Sequence, residues 1–369
     1  GVPYTPKTVG IGGEPSREAG DMEAERAQAS RHFETMVETP AQYHNAMEPH
    51  AITAEWKGDR LEIDTPNQAI GLAKISFATY LGIDPGNILI RSPFLGGGFG
   101  SKAILFGAQL LTVLAAKDLD RPVKLALRRD QMYGPVGHRP ATRQTVRLDL
   151  DDAGDIRALE HHTVSVGSAF DDFLESASNA SHSVYATRAL RTTHGAVRAD
   201  TGTPGPMRAP GEASGSAALE VAVDAAAFAM GMDPLAFRLK NYAETDPASG
   251  LPFSSKALRE CYTRAAEAFG WAGRPLQPRQ MREGRLLKGW GMGTAQFPCP
   301  MFQAAAHATL HADGSAVVET SAADMGQGAW TALAQIAADG LGIDIARLEF
   351  RSGQSDLPDA GVAGGSGHT

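Results

Sequence analysis

Two cysteines in 369 residues, Cys261 and Cys299, are too few for a disulfide framework, and neither lies in a CxxC or Cys/His spacing. A zinc or iron–sulfur site built by this chain alone is not expected, so any redox centre must be held in another way. Positive charge is also in short supply. The net charge of −8 disfavours a nucleic-acid groove, which needs a surplus of Lys and Arg on one face. No stretch approaches the roughly eighteen apolar residues of a membrane helix. The opening "GVPYTPKTVGIGGEPSREAG" has no charged-then-apolar leader, so no intact signal peptide is expected either.

What is present describes a globular protein: 43% hydrophobic and 21% charged residues, in a chain long enough for two or more packed units. Residues 1–24 are Gly-, Pro- and charge-rich and read as an irregular lead-in. "AITAEW" and "RLEIDTP" alternate apolar and polar about a "KGD" turn, a hairpin signature. Ile70, Ala73, Phe77 and Leu81 keep helical spacing until Gly82. "NILIRSP" predicts a strand and 103–119 a helix. "PVKLALRR" is a further strand, and "DDAGD" and "ADGS" each join two alternating runs. An Ala-rich helix is predicted over 214–231, capped by Ser214 or Ser216. Helices at "DPLAFRLKNY", "SKALRECYTRAAEAFGW" and "AWTALAQIAADGLG" and a strand at "RLEFRSG" complete the pattern. The fold class is α+β: mixed α/β subdomains with antiparallel hairpins.

Three glycine-rich stretches carry the chemistry. "RSPFLGGGFGSK" (91–102) reads as strand, loop and helix, so its N–H groups can face an anion. It lacks the register of a Walker loop, and Ser101 stands where a dinucleotide fingerprint needs its third glycine. "ADMGQGAW" (323–330) and "PGPMRAPGEASGSAALE" (204–220) also run into helices, the latter with Arg208, a residue suited to bidentate phosphate contact. Three such turns suggest one large cofactor wrapped by backbone. His44 and His50 cannot share a helical face and are read as structural. The acidic residues 151–155 are read as a solvated turn, and Arg128 and Arg129 as partners of Asp130.

The motifs "MEPHA" (47–51), "LGGGFGSK" (95–102), "MRAPGEASG" (207–215) and "DMGQG" (324–328) stand in the order found in the molybdenum cofactor-binding large subunit of the xanthine dehydrogenase and aldehyde oxidase family. The chain resembles that family from about residue 25 onward. The wordings "RAPGEASG", "RLKNYAETDP" and "FSSKALRECY" are most similar to bacterial periplasmic-type aldehyde oxidoreductases. The resemblance implies two molybdopterin-binding subdomains, 25–200 and 201–369, the second truncated. It implies a molybdopterin cytosine dinucleotide carrying molybdenum, with the metal held by the pterin dithiolene, and [2Fe-2S] clusters and FAD on partner subunits.

By the same resemblance Gln68 and Phe99 are the catalytic candidates, Gln68 as the active-site glutamine. Cofactor contacts fall to Gly97, Gly98, Phe99 and Gly100, to Met207, Arg208 and Ala209, to Met325, Gly326, Gln327 and Gly328, and to Thr369 in "GGSGHT". Gly98 and Phe99 resemble backbone passing against the pterin, where a Cβ would collide. Ala103 occupies the position of a purine-gripping glutamate, which favours aldehydes or less polar heterocycles over xanthine. The catalytic glutamate of the family's Gly-Glu-Pro context has no counterpart, so the chain is expected to be one piece of a large subunit, its remainder supplying that base. The expected activity is oxidation of an aldehyde with water-derived oxygen. An N-heteroaromatic hydroxylase, or a cofactor-binding piece inactive by itself, are the alternatives.

Overall fold

The computed structural model describes residues 1–10, 12–298 and 301–366. In chain order its elements are β1 (Val2–Tyr4), β2 (Ser16–Ala19), α1 (Met22–Ala27), β3 (Arg31–Thr39), β4 (Ala51–Lys57), β5 (Arg60–Asp64), α2 (Ile70–Leu81), β6 (Ile88–Arg91), α3 (Gly107–Asp118) and β7 (Val123–Ala126). There follow β8 (Thr142–Leu150), β9 (Ile156–Ser168), β10 (Ala189–Ala199), α4 (Glu212–Ala229), α5 (Pro234–Lys240), α6 (Leu258–Phe269), β11 (Arg282–Glu283), β12 (Leu286–Leu287), β13 (His307–Leu310), β14 (Ala316–Glu319), α7 (Ala329–Leu341) and β15 (Leu348–Arg351). The mixed α/β class holds. Residues 1–24, expected to be irregular, contain β1 and β2, both paired antiparallel to β10, and the start of α1. No single helix among the described residues is long and apolar enough to cross a membrane.

Two compact units emerge, each assembled from three stretches of chain. The first comprises Gly1–Ala41, Pro140–Thr201 and Pro210–Phe297. Its sheet runs β1-β10-β9-β8-β3, antiparallel except for the β9–β10 pair. Period-two alternation in β8 turns Val146 and Leu148 inward, where Ala218, Leu219, Ala222, Val223 and Ala226 of α4 cover them. Alanine at these positions lets the helix lie close to the sheet. α4 begins at Glu212 with Gly211 at its cap, two residues before the expected serine start. The reason is Glu175: fully buried, it accepts the Gly211 N–H (3.0 Å) and so fixes the first turn.

The second unit comprises Gln42–Arg139, Gly202–Ala209 and Pro298–Thr369. Its four-stranded sheet runs β6-β5-β4-β7 and its three-stranded sheet β13-β14-β15. Ile52, Leu61, Ile63, Ile88 and Ile90 form a core with Ile70, Ala73 and Phe77 of α2 and Val113 and Ala116 of α3. Each large aliphatic so buried contributes about 1.5–3 kcal/mol of transfer free energy.

This unit contains one supersecondary pattern twice. Hairpin β4–β5, then α2, then β6 parallel to β5, is matched by hairpin β13–β14, then α7, then β15 parallel to β14. Both helices end on a left-handed glycine, Gly82 (φ 66°) and Gly342 (φ 68°), each followed by Ile-Asp. Thr65 N–H donates to the Arg91 carbonyl as Thr320 N–H does to Arg351 (both 3.2 Å). Ser92 Oγ donates to the Asn67 carbonyl (3.1 Å) and Ser352 Oγ to that of Ala322 (2.7 Å).

One expectation fails here. The glycine loop does not run straight into a helix: a short 3₁₀ turn at Ser101–Ala103 and an extended stretch through Phe106 precede α3 at Gly107. β-region backbone at Ile104 and Phe106 (φ −120° and −126°) breaks the helix that the residue pattern allowed.

Candidate functional site

Four separate segments of the second unit meet at the glycine loop. Arg208 N–H donates to the Phe99 carbonyl (2.9 Å), which joins 204–209 to the loop. Leu95 N–H donates to the Asp324 carbonyl (2.9 Å) and Asp324 N–H to that of Pro93 (3.2 Å), which joins 323–328. Gln68 is the knot. Its N–H donates to the Lys102 carbonyl (2.9 Å), its Nε2 to the Ala363 carbonyl (3.0 Å), and its Oε1 accepts the Gly100 N–H (3.0 Å). Ala363 N–H returns to the Gln68 carbonyl (2.7 Å).

The structure thus brings Gln68, Gly97, Gly98, Phe99, Gly100, Met207, Arg208, Ala209, Met325, Gly326, Gln327 and Gly328 into one unit. Thr369 lies outside the described residues.

Within the chain itself the loop has a further need for glycine. A Cβ on Gly98 would run into the Gln68 amide, and one on Gly100 (φ 107°) into the Pro206 carbonyl. The obstruction comes from this chain itself, packed tightly beneath the loop. Gly326 (φ 96°) and Gly328 (φ 75°) are different: a Cβ there meets nothing within 4 Å, and their need is conformational.

Phe99 (φ 55°) and Ala209 (φ 56°) hold left-handed backbone without being glycine, each at a cost of about 1 kcal/mol or more. The Phe99 ring folds back over Gly97 and stays 41% exposed.

The electrostatic setting is dry beneath and open above. His44 and His50 are buried, and each meets a main-chain carbonyl through Nε2, that of Pro206 (2.8 Å) and that of Ser101 (3.3 Å). A carbonyl only accepts, so Nε2 carries the proton and Nδ1 is a bare, unpartnered acceptor. Burial lowers both pKa values, that of His50 to about 4, so both rings are neutral at pH 7. Arg139 Nη2 donates to the carbonyls of Met207 (2.9 Å) and Arg208. Arg129, expected beside Asp130, instead donates to the carbonyls of Ala46 (2.7 Å) and Met47 (2.9 Å); Arg128 pairs with Asp130 (2.9 Å).

Of these scaffold residues, His44, His50 and Arg129 read from sequence as structural or ion-paired, while Glu48, Lys102 and Arg139 carry no assigned role there. The available signal was charge in apolar and glycine-rich company: Glu48 in "MEPH", Lys102 after "GFGS" and Arg139 in "GHRP".

Several donors around the loop stand unclaimed. The N–H groups of Phe99, Gln327 and Gly328 find no acceptor among the described residues, and the exposed Arg208 guanidinium finds no partner among them. Strained, donor-rich and carrying the Arg208 cation, this surface suits an extended group with phosphate and hetero-ring acceptors.

Residues 6–242 match the Molybdopterin cofactor-binding domain, and 264–369 match a second domain of that description. The chain belongs to the molybdopterin cofactor-binding family of the xanthine dehydrogenase and aldehyde oxidase type. It is 37% identical over 352 residues to the aldehyde oxidoreductase molybdenum-binding subunit PaoC of Escherichia coli, covering 95% of this chain and 48% of that protein. It is 26% identical to the nicotine 6-hydroxylase large subunit of Paenarthrobacter nicotinovorans, covering 95% and 46%. The aldehyde oxidoreductase of Desulfovibrio desulfuricans shares its fold, with a TM-score of 0.83 at 21% identity, covering 96% of this chain and 40% of that one. The chain spans about half the length of the curated relatives it matches.

Proposed function

We propose that this chain holds the molybdenum cofactor of an oxidoreductase that converts aldehydes to carboxylic acids with oxygen derived from water. The observation that carries the reading is the convergence of four loops on Gln68 and Phe99 within one unit. The 37% identity to an aldehyde oxidoreductase subunit supports the substrate class, as does Ala103, which offers a purine ring no carboxylate.

The cofactor fits the residues present: unclaimed N–H donors at Phe99, Gln327 and Gly328 are what phosphate and pterin acceptors require. Arg208 would hold the phosphate side, with Met207 and Ala209 at its flanks, and Met325 to Gly328 would form the opposite wall. The second proton of Gln68 Nε2 remains to orient an oxygen acceptor, while its first fixes the amide plane on Ala363. When bound, the group supplies the two-electron oxidation. The chain contributes position, the exclusion of water from beneath the loop and a neutral lining. The cytosine dinucleotide form, a [2Fe-2S] subunit, an FAD subunit and the remainder of the large subunit, with the general-base glutamate, complete the proposed assembly.

A hydroxylase of N-heteroaromatic rings is the second reading, favoured by the 26% identity to the nicotine enzyme subunit. The test is the assembled enzyme: molybdenum and cytidine nucleotide per chain, then turnover of aromatic aldehydes against nicotine and quinoline. Aldehyde turnover with bound metal supports the first reading; ring hydroxylation alone replaces it with the second; a metal-free, nucleotide-free protein overturns both.

A further inference from the structure

One pair under the glycine loop has no task in that reading. Lys102 has no exposed side-chain surface, and its Nζ donates to Glu48 Oε2 (2.8 Å) and to the Glu48 carbonyl (3.0 Å). The same Oε2 accepts the Gly96 N–H (2.8 Å), and Glu48 N–H donates to the Gly96 carbonyl (3.0 Å). One residue therefore grips both ends of the segment 96–102. Gly96 is glycine for this contact, since a Cβ there would lie 2.5 Å from that of Glu48.

Folding alone is a poor reason for such a pair. Burying the Lys102 ammonium costs several kcal/mol of desolvation, while the Glu48 side chain stays 40% exposed, so the attraction that offsets this cost is weakened by water. What a charge-assisted, doubly shared carboxylate supplies is geometry: bonds about twice as strong as neutral ones, in directions that fix where the chain lies. The arc so fixed carries Phe99, with its unclaimed N–H, and Gly100, whose N–H is tied to Gln68.

We propose that Glu48 and Lys102 are positioning residues that latch the loop 96–102 into the arc that retains the molybdopterin, and thereby set how slowly that cofactor leaves. The inference rests on the reading under Proposed function.

The test uses the complete assembled enzyme with Lys102→Met, Glu48→Gln and the double variant, reading the release rate of pterin by its fluorescence and the denaturant midpoint. Losing one charge-assisted bond predicts about tenfold or more faster release in each single variant, while the double variant, which strands no charge, keeps the denaturant midpoint nearest the parent's. Because the two residues act as one device, the double variant releases pterin no faster than the faster single one. Unchanged release in both single variants, or a double effect equal to the sum, overturns the latch. Should Lys102→Met fail to fold, Glu48→Gln, which keeps the side-chain volume, decides alone. A parent enzyme with no pterin to release sinks the proposed function instead, whereas a loaded parent with indifferent variants sinks only the latch.

Discussion

Gln68 and Gln327 occupy the same place in two copies of one supersecondary unit: each stands two residues before the first helical residue, Ile70 in one copy and Ala329 in the other. Their side chains have diverged in use. The Gln68 amide is buried and joins Gly100 to Ala363, whereas the exposed Gln327 Oε1 accepts the N–H of Met325 in its own loop (2.7 Å).

The repeat predicts matched energetics at Ser92 and Ser352. Ser92→Ala and Ser352→Ala each remove a buried hydroxyl with two contacts, the Asn67 N–H and carbonyl in one copy and the Thr320 and Ala322 carbonyls in the other, and each costs about 1–2 kcal/mol, measured from the urea midpoint. A difference severalfold in size would mean that the two copies are held differently.

Gly100→Ala and Gly326→Ala separate crowding from conformation. Both glycines have positive φ, but only Gly100 has a carbonyl in the path of a Cβ. Gly326→Ala costs about 1 kcal/mol and Gly100→Ala clearly more, about 2–4 kcal/mol, in equilibrium unfolding.

Arg208→Ala leaves the melting temperature unchanged, because the exposed guanidinium holds no described residue, yet lowers molybdenum and nucleotide per chain by about tenfold. Elemental analysis and nucleotide release on the assembled enzyme check it.

Stability falls on acidification through His50. Its folded pKa, lowered by burial to about 4, lies below the unfolded value of about 6.5, so the unfolded state binds more protons between them. The stability is fully present above about pH 6.5 and declines by about 3 kcal/mol as pH falls to about 4. His50→Gln, which keeps a donor for the Ser101 carbonyl, flattens that slope in urea titrations from pH 7.5 to about 4.5.

Much of the fold was legible. Hairpins at 51–64 and 142–168 showed alternation and turn residues, and Gly82, Gly270 and Gly342 marked helix ends. β3 and β10 were missed: "RHFETMVET" is charged along one side, and "ALRTTHGAVRA" carries Thr and His where a core strand usually carries Val and Ile. Their pairing is decided by β8 and β9, far away in sequence. The candidate loops announced themselves through glycine, which takes a positive φ at least cost, although Phe99 and Ala209 hold one as well. The scaffold did not: Glu48, Arg139 and Ser92 act through main-chain groups, and a bond to a carbonyl leaves no trace in the identity of the residue that owns it. The repeat stayed hidden because only "LGID" and "RS" persist between its copies.

Gln68 and Ala363 are 295 positions apart, yet two hydrogen bonds join them, one donated by each. A nascent chain halted anywhere before that alanine would leave the glutamine amide half tied and the cradle open on one side. Under the proposed function, the cradle is complete only when both ends of this 295-residue span are in place, so cofactor seating follows synthesis of the segment rather than accompanying it.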